Sequence, residues 1–470
     1  MRLICFEKKQ IIQVTRENPI VFMQKKIDYI LHCFKEVFGI DELPATLMYG
    51  TEGDAAIQIK QGNTAPLIRH ERYIPGDHQI VWKSWKGVQV PFFFGTDAGD
   101  LVIRSGDHFL ITQDILASAF YLLSGWHEHF SSDRDVFGRF PFSSSLSYRL
   151  NITGTPVVNY YFDILKTIME QASGKPLINP TWEGKPYVLC LTHDIDTCES
   201  AWLEGSRYSL RKGDILTPLI LLVKKMLGKD GWFNFDEIIQ IEQYFGASST
   251  FFFLATSIPN LGIKNADYTL DCPRLRKIQR LISQSGSETG IHGSTGTSND
   301  PGRLRAEIDS FRSPVIGNRF HFLLYQPDKT GKVLDDSGLT YDSSLGFAEM
   351  PGFRNSFCFP FHPWDITNDR PFKHTEIPLV LMDGTLRKYN NLKPSEAMTM
   401  VYPLLNEVKK FNGCMTILWH NTHFSKYKYP GWKEVYFKIV ETAANENAGL
   451  LSCRKLLDLF SMRNHIASKL

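Results

Sequence analysis

No CxxC pair and no local cluster occurs among the eight cysteines, which stand at positions 5, 33, 190, 198, 272, 358, 414 and 453. That pattern excludes a disulfide framework and a cysteine-rich structural zinc, and it favours a reducing compartment. An excess of one charge is lacking too: 52 Lys and Arg against 50 Asp and Glu leave a net +2. Bulk electrostatics therefore give no reason to expect nucleic acid as a partner. Long hydrophobic runs are missing. The opening MRLICFEKKQIIQV is apolar for only a few residues before charges interrupt it, unlike the core of a secretory leader, so a cytoplasmic location is expected. The strongest apolar run, ILTPLILLV from Ile215 to Val223, is about half of what a bilayer requires, which argues against a transmembrane segment, and Lys224 and Lys225 follow it. It reads as a buried or interfacial helix, with contact to a membrane surface as the lesser alternative. Internal repeats and low-complexity tracts are absent as well.

What is present is the balance of a folded chain, 43% hydrophobic and 22% charged over 470 residues, long enough for two domains or for one domain with a sizeable attachment. Residues 1 to about 180 mix short β-like runs, QIVWKSW and VQVPFFFG, with an amphipathic helix from about Thr112 to Trp126 and a second helical stretch, NYYFDILKTIMEQAS. No catalytic constellation emerges there. The HEH at 127 to 129 has the wrong spacing for two ligands on one helical face. SGKPLINPTWEGKP, residues 173 to 186, is rich in Gly and Pro and reads as a linker. Beyond it, candidate strands (YVLCLTHD, SSTFFFLA, ETGIHG, VIGNRFHF, HTEIPLVLM, CMTILWHN) alternate with helical periodicity in segments such as FDEIIQIEQYF and PRLRKIQRLISQ. This is the pattern of a parallel α/β domain over 186 to 470, preceded by a smaller mixed α/β domain over 1 to 180. The six strands suit a barrel, complete or not, or an open doubly wound sheet; either way function is expected at the carboxyl ends of the strands.

Four strand ends carry chemistry. THDID, residues 192 to 196, closes an apolar strand with two aspartates at i and i+2. In extended chain these point the same way, so Asp194 and Asp196 converge while His193 and Ile195 turn elsewhere. One can bind a divalent cation and the other accept a proton, although a lone Asp after a strand is more often a turn or a helix cap. His292 ends the next candidate, ETGIHGSTGTS, in a loop of small polar residues. Neutral imidazole suits zinc-like metals, while a solitary histidine is more often structural, and no lysine follows the glycines as a phosphate-binding loop demands. In GNRFHF, Arg319 and His321 share one side of an extended segment, and the Arg can orient an aspartate through paired hydrogen bonds or form an ordinary ion pair. ILWHNTHF ends in His420, whose reference pKa of about 6.5 suits a general acid. His423, three residues on, is only a lesser candidate for a metal ligand.

Taken in order, THDID, the IHGS loop, GNRFHF, YDSSLGF at 341 to 347 and LWH at 418 to 420 resemble the motif series of the polysaccharide deacetylases, the NodB-homology carbohydrate esterase family. FAEMPGFRNSFCFPFHPWD, EIPLVLMDGT and HNTHFSKYKYPGW resemble a bacterial subgroup with its own N-terminal domain. The resemblance covers roughly residues 186 to 470. It implies a distorted (β/α) barrel and metal-dependent hydrolysis of an N-acetyl, less often an O-acetyl, group on a sugar or glycan precursor used in envelope polysaccharide. In that family's scheme Asp194 is the base, Arg319 positions it and His420 is the acid. Asp196 and His292 hold the metal, zinc first, with iron, nickel or cobalt as alternatives. Ser294, Asp342 and Trp419 lie in motifs that meet the substrate. One departure stands out: the family usually has a second ligand histidine four residues after the first, where this chain has Gly296. His321 can complete two histidines and one carboxylate. The alternatives are another carbon–nitrogen hydrolase on the same scaffold, a deformylase or cyclic amidase, or a carbohydrate-binding relative without catalysis.

Overall fold

The computed structural model describes residues 19–50, 54–95, 99–260 and 262–466. The segment MRLICFEKKQIIQV, from which a cytoplasmic location was expected, lies outside them.

The described residues of the amino-terminal part begin with the helix Pro19–Phe38 and carry six short strands: β1 (Leu47–Tyr49), β2 (Ile57–Ile59), β3 (Val81–Trp85), β4 (Val88–Phe92), β5 (Val102–Ser105) and β6 (His108–Ile111). Four of them form a sheet in the order β1-β2-β6-β5. The runs VWKSW and VQVPF pair as the antiparallel hairpin β3–β4, and its two-residue turn, Lys86-Gly87, has positive φ at both positions, the twist that tight hairpins require. The segment read as an amphipathic helix from Thr112 to Trp126 is different. Its helix is Ile115–Leu123, and all nine residues are buried, because no charge interrupts ILASAFYLL and the core surrounds it. Asp114 caps it by accepting the Ala117 N–H at 2.9 Å. The helix Val157–Ser173 follows, ended by Gly174 in the left-handed region.

From residue 188 the chain builds one large parallel sheet from β7 (Val188–Ile195), β8 (Thr250–Leu254), β9 (Glu288–Gly293), β10 (Gly317–Phe320) and β11 (Tyr341–Asp342). After an antiparallel pair, β12 (Trp364–Asp365) with β13 (Arg370–Pro371), the sheet continues with β14 (Thr375–Glu376), β15 (Leu379–Met382), β16 (Cys414–Leu418) and β17 (Gly449–Leu451). The order is β14-β11-β10-β9-β8-β7-β16-β15, with β17 beside the first half of β7. Every residue of β7 and β8 is buried, as expected of strands covered on both faces, and long helices such as Phe235–Tyr244, Pro273–Gln284 and Trp432–Asn445 supply the crossovers.

HTEIPLVLM, expected as one strand, is two. Pro378 has no N–H for the ladder, and the chain breaks there: Thr375–Glu376 pairs with β11 at one edge of the sheet, Leu379–Met382 with β16 at the other. Three Cα steps, no more than about 11 Å, thus join strands at opposite edges. The sheet has to curl into a nearly closed (β/α) barrel, and the alternative of an open doubly wound sheet is set aside.

The residues read as a linker, 173 to 186, carry almost no regular structure, yet Trp182 is buried and donates its indole N–H to the Asn412 carbonyl at 2.7 Å. The main hydrophobic core runs from Met23 to Phe460 through both parts, with two small clusters beside it. Glu128 and Arg354, both nearly inaccessible, form an ion pair at 2.6 Å between them. Replacing Glu128 with Ala strands a buried guanidinium and should cost roughly 3–5 kcal/mol in chemical denaturation, whereas a well-packed apolar double replacement of the pair should recover most of it.

The segment ILTPLILLV, read as a buried or interfacial helix, is helical within Leu216–Met226, and Leu221 is its only buried residue, so it is not a buried one.

Candidate metal centre and catalytic cleft

The carboxyl ends of the parallel strands open into a cleft of about 700 Å³ lined by Asp194, Asp196, His292, His321 and His420 among others. β7 brings the two aspartates there by alternation. Its intervening His193 turns the opposite way, with Nε2 at 2.8 Å from Glu242 and Nδ1 at 2.7 Å from the Trp419 carbonyl. β9 and β10 lie side by side with His292 opposite Arg319, so the histidine and the arginine reach the aspartates from adjacent strands.

Asp196, His292 and His321 each offer a ligand atom, all within 4.8 Å of one another. His292 Nδ1 lies 2.7 Å from the Arg319 carbonyl, which only a donor N–H can satisfy, so the lone pair of the neutral ring sits on Nε2. That lone pair faces Asp196 Oδ1 at 3.2 Å, and Asp196 Oδ1 has no hydrogen-bond partner. His321 Nε2 faces the same oxygen at 3.7 Å. Two imidazoles and one carboxylate converging within ligand distance suit a divalent cation of the zinc type, with positions left open for water and substrate. Charge agrees with this fit. Burial opposes ionisation of Asp196, but His321, His292 and His420 around it outweigh that and hold its carboxyl far below the usual range. Burial pushes the His321 imidazole down to about 4, so it is neutral and ligand-competent at neutral pH.

Gly296 explains why the second histidine comes from another strand. Its φ is +92°, and a Cβ there would meet the Asn260 amide at 2.5 Å and the Arg303 guanidinium at 2.6 Å. No imidazole fits. His321 instead begins a tight turn in which Phe322 and Leu323 both have positive φ, a strained conformation for bulky side chains. The strain is held from outside. Phe322 is stacked between His321 (centroids 4.0 Å apart) and Phe137 (4.8 Å), and Arg139 donates to the Phe322 carbonyl at 3.2 Å. Arg139 also lines the cleft, so the amino-terminal part, where no constellation was legible, helps to build the site.

Arg319 is fully buried and donates from Nη1 to Asp194 Oδ1 at 3.1 Å. The expected paired hydrogen bonds are not formed. The other donors go to Ser343 (carbonyl 2.8 Å, hydroxyl 2.8 Å), and Nη1 also reaches the Thr192 hydroxyl at 2.6 Å.

On the opposite flank His420 points Nε2 toward Asp196 Oδ2 at 3.7 Å and hydrogen-bonds through Nδ1 to Asp383 at 2.8 Å. Burial disfavours its charge, but Asp383, then Asp196 and Asp194, raise its pKa to about 10. Asp383 went unnoticed in the sequence; its one signal was its place directly after LVLM, as the first polar residue past an apolar strand. Asp383, His420 and His423 also stand within ligand distance of one another, yet they form a hydrogen-bonded set. Asp383 accepts from His420 Nδ1 at 2.8 Å and from the His420 backbone N–H at 2.6 Å and stands 3.0 Å from His423 Nδ1, while Arg387 Nε donates to His423 Nε2 at 3.2 Å.

Three expected substrate contacts do not reach the cleft lining. Ser294 turns its hydroxyl to Glu307 of the following helix. Asp342 is buried against Asn318 (2.6 Å) and Ser344 (3.0 Å), and burial raises its carboxyl. Trp419 packs behind the strand on Tyr436 and Trp432 at 5.7 and 6.1 Å.

The class of structure is thus a parallel (β/α) barrel with a candidate two-histidine, one-carboxylate metal centre at its strand ends. Residues 20–174 match a family described only as a family of unknown function, DUF7033. No curated protein matches the chain. Among solved structures it is similar to a "putative polysaccharide deacetylase" from Mycobacterium smegmatis, at 17% identity over 61% of this chain and 92% of that one, TM-score 0.40. It is similar also to a "probable polysaccharide deacetylase" from Pseudomonas aeruginosa PAO1 (11%, 63% and 97%, TM-score 0.40) and to Puue allantoinase (12%, 63% and 95%, TM-score 0.39). Likeness at this level transfers no substrate.

Proposed function

We propose that this chain is a metal-dependent hydrolase that removes an acetyl group from the nitrogen of a sugar or glycan precursor. The observation that carries the reading is the convergence of Asp196, His292 and His321 on one point, flanked by Asp194 on one side and by the Asp383-supported His420 on the other. A divalent cation held there supplies Lewis acidity, polarising the acyl carbonyl and making water a better nucleophile near neutral pH. Asp194, fixed by Arg319, accepts the proton of the attacking water. As the carbon–nitrogen bond breaks, His420 gives its Nε2 proton to the departing amine, which is too basic to leave as an anion. Acetate and the free amine remain. Asp383 keeps His420 charged and aims it by holding Nδ1.

The cleft has room for a sugar with a substituent. Arg139, Lys264, Arg387 and Lys388 at its walls favour a substrate bearing phosphate or carboxylate, such as a sugar nucleotide or a lipid-linked precursor. Offering N-acetylated sugar nucleotides and testing for acetate checks the reading; formate release or ring opening of a cyclic amide in its place would replace it with the sister activity.

The pH dependence follows from His420. Raised to about 10, it carries its proton throughout the neutral range and loses it as pH rises through that value, so activity should hold to high pH and then fall. Asp383→Asn removes the first of the groups that raise it. The alkaline limb of kcat/KM should then move down by at least about one pH unit. A limb that stays in place would separate Asp383 from the acid.

A further inference from the structure

The helix Leu216–Met226 turns back on the helix Ala201–Arg211, and Gly205 lets them close: a Cβ there would lie 2.8 Å from Leu221, the residue that the second helix buries. The outward face is apolar. Ile215, Leu216, Leu219, Met226 and Leu227 are 61–77% exposed, and Ile220, Leu222 and Val223 are 39–54% exposed. A continuous run of this kind is not an ordinary water-facing surface. Between residues 205 and 229 there are six basic side chains and one acidic one. The acidic one, Asp214, caps the helix, accepting the Leu216 and Thr217 N–H groups at 3.0 Å. Arg211, Lys212 and Lys229 are exposed at the ends of the hairpin.

We propose that this hairpin docks on the surface of an anionic phospholipid bilayer, the apolar face entering the acyl boundary and Arg211, Lys212 and Lys229 meeting headgroup phosphates. An apolar face bordered by basic residues is the composition of helices that lie in the membrane interface. Spanning is excluded by length, since the 11-residue helix is about 16 Å long against a hydrocarbon core of about 30 Å. A second copy is a poorer occupant, because a two-fold contact through this face brings two strongly basic segments together. The inner side of the first helix supplies Leu203, Glu204 and Arg207 to the cleft, so docking sets the mouth of the cleft beside the lipid. The proposal does not depend on which reaction the cleft performs.

Co-sedimentation of the full chain with vesicles tests it. Binding is expected to phosphatidylcholine vesicles containing phosphatidylglycerol, to be weaker with phosphatidylcholine alone, and to weaken as salt is raised. The triple variant Leu219→Ser, Val223→Ser, Met226→Ser should partition about tenfold less or worse, with an unchanged circular dichroism spectrum. Reversing Arg211, Lys212 and Lys229 to Glu should abolish the preference for the anionic vesicles. The proposal is overturned if the wild-type chain stays in the supernatant with both vesicle types, if the apolar triple variant binds as well as wild type, or if light scattering shows a dimer that the triple variant dissociates while vesicles capture nothing.

Discussion

Asp194→Asn is expected to lower kcat by roughly 10²–10⁴-fold, the range for loss of a general base, with KM little changed. The amide has the shape of the carboxylate, and its oxygen can still accept from Arg319 Nη1, now at 3.1 Å, so the barrel should stay folded. What it cannot do is take a proton from water. Loss of the charge beside a buried guanidinium will cost stability, which makes circular dichroism and metal content the necessary controls. Turnover equal to wild type with the true substrate, at full metal content, would remove Asp194 from the mechanism and with it the proposed reaction.

The second large effect concerns the metal. Purified protein should carry about one equivalent of a divalent cation, and a strong chelator should remove it together with activity, which zinc or cobalt then restores. His321→Ala should lose the ion as completely as Asp196→Asn or His292→Ala, beyond the roughly 10–100-fold weakening typical of changes to groups that only support a ligand. His423→Ala should retain it, because His423 is engaged by Asp383 at 3.0 Å and Arg387 at 3.2 Å and belongs to the other His/Asp set. Metal content settles the matter without any substrate: loss of the ion from His423→Ala, or its retention in His321→Ala, would move the centre to the wrong side of the cleft.

Alternation along an extended chain was enough to pair Asp194 with Asp196 and to turn His193 away, since that depends on neighbouring residues alone. The apolar runs ending in polar residues marked most of the strands, and β9 coincides with ETGIHG. The sequence resemblance left a vacancy at Gly296. Asp383 and Arg139 were harder to find, because each acts on a residue far along the chain, His420 in one case and the turn after His321 in the other.

Hydrophobic pattern alone did not decide the burial of two helices. ILASAFYLL is enclosed all round, whereas ILTPLILLV faces outward, although both read as apolar. Composition records how apolar a segment is and cannot record what stands opposite it.

The sequence by itself determined which residue types stand at the strand ends, the parallel α/β alternation and the need for a ligand from outside the usual loop. The first two are consequences of local periodicity and residue chemistry; the third is what the family resemblance implies. Tertiary structure alone decided that the break at Pro378 sends the chain from one edge of the curled sheet to the other, that His321 meets His292 and Asp196 around one point, and that Asp383 stands behind His420. Each of these joins residues through the curl of the sheet, and the distance between two side chains across a curled sheet is written nowhere in their spacing along the chain.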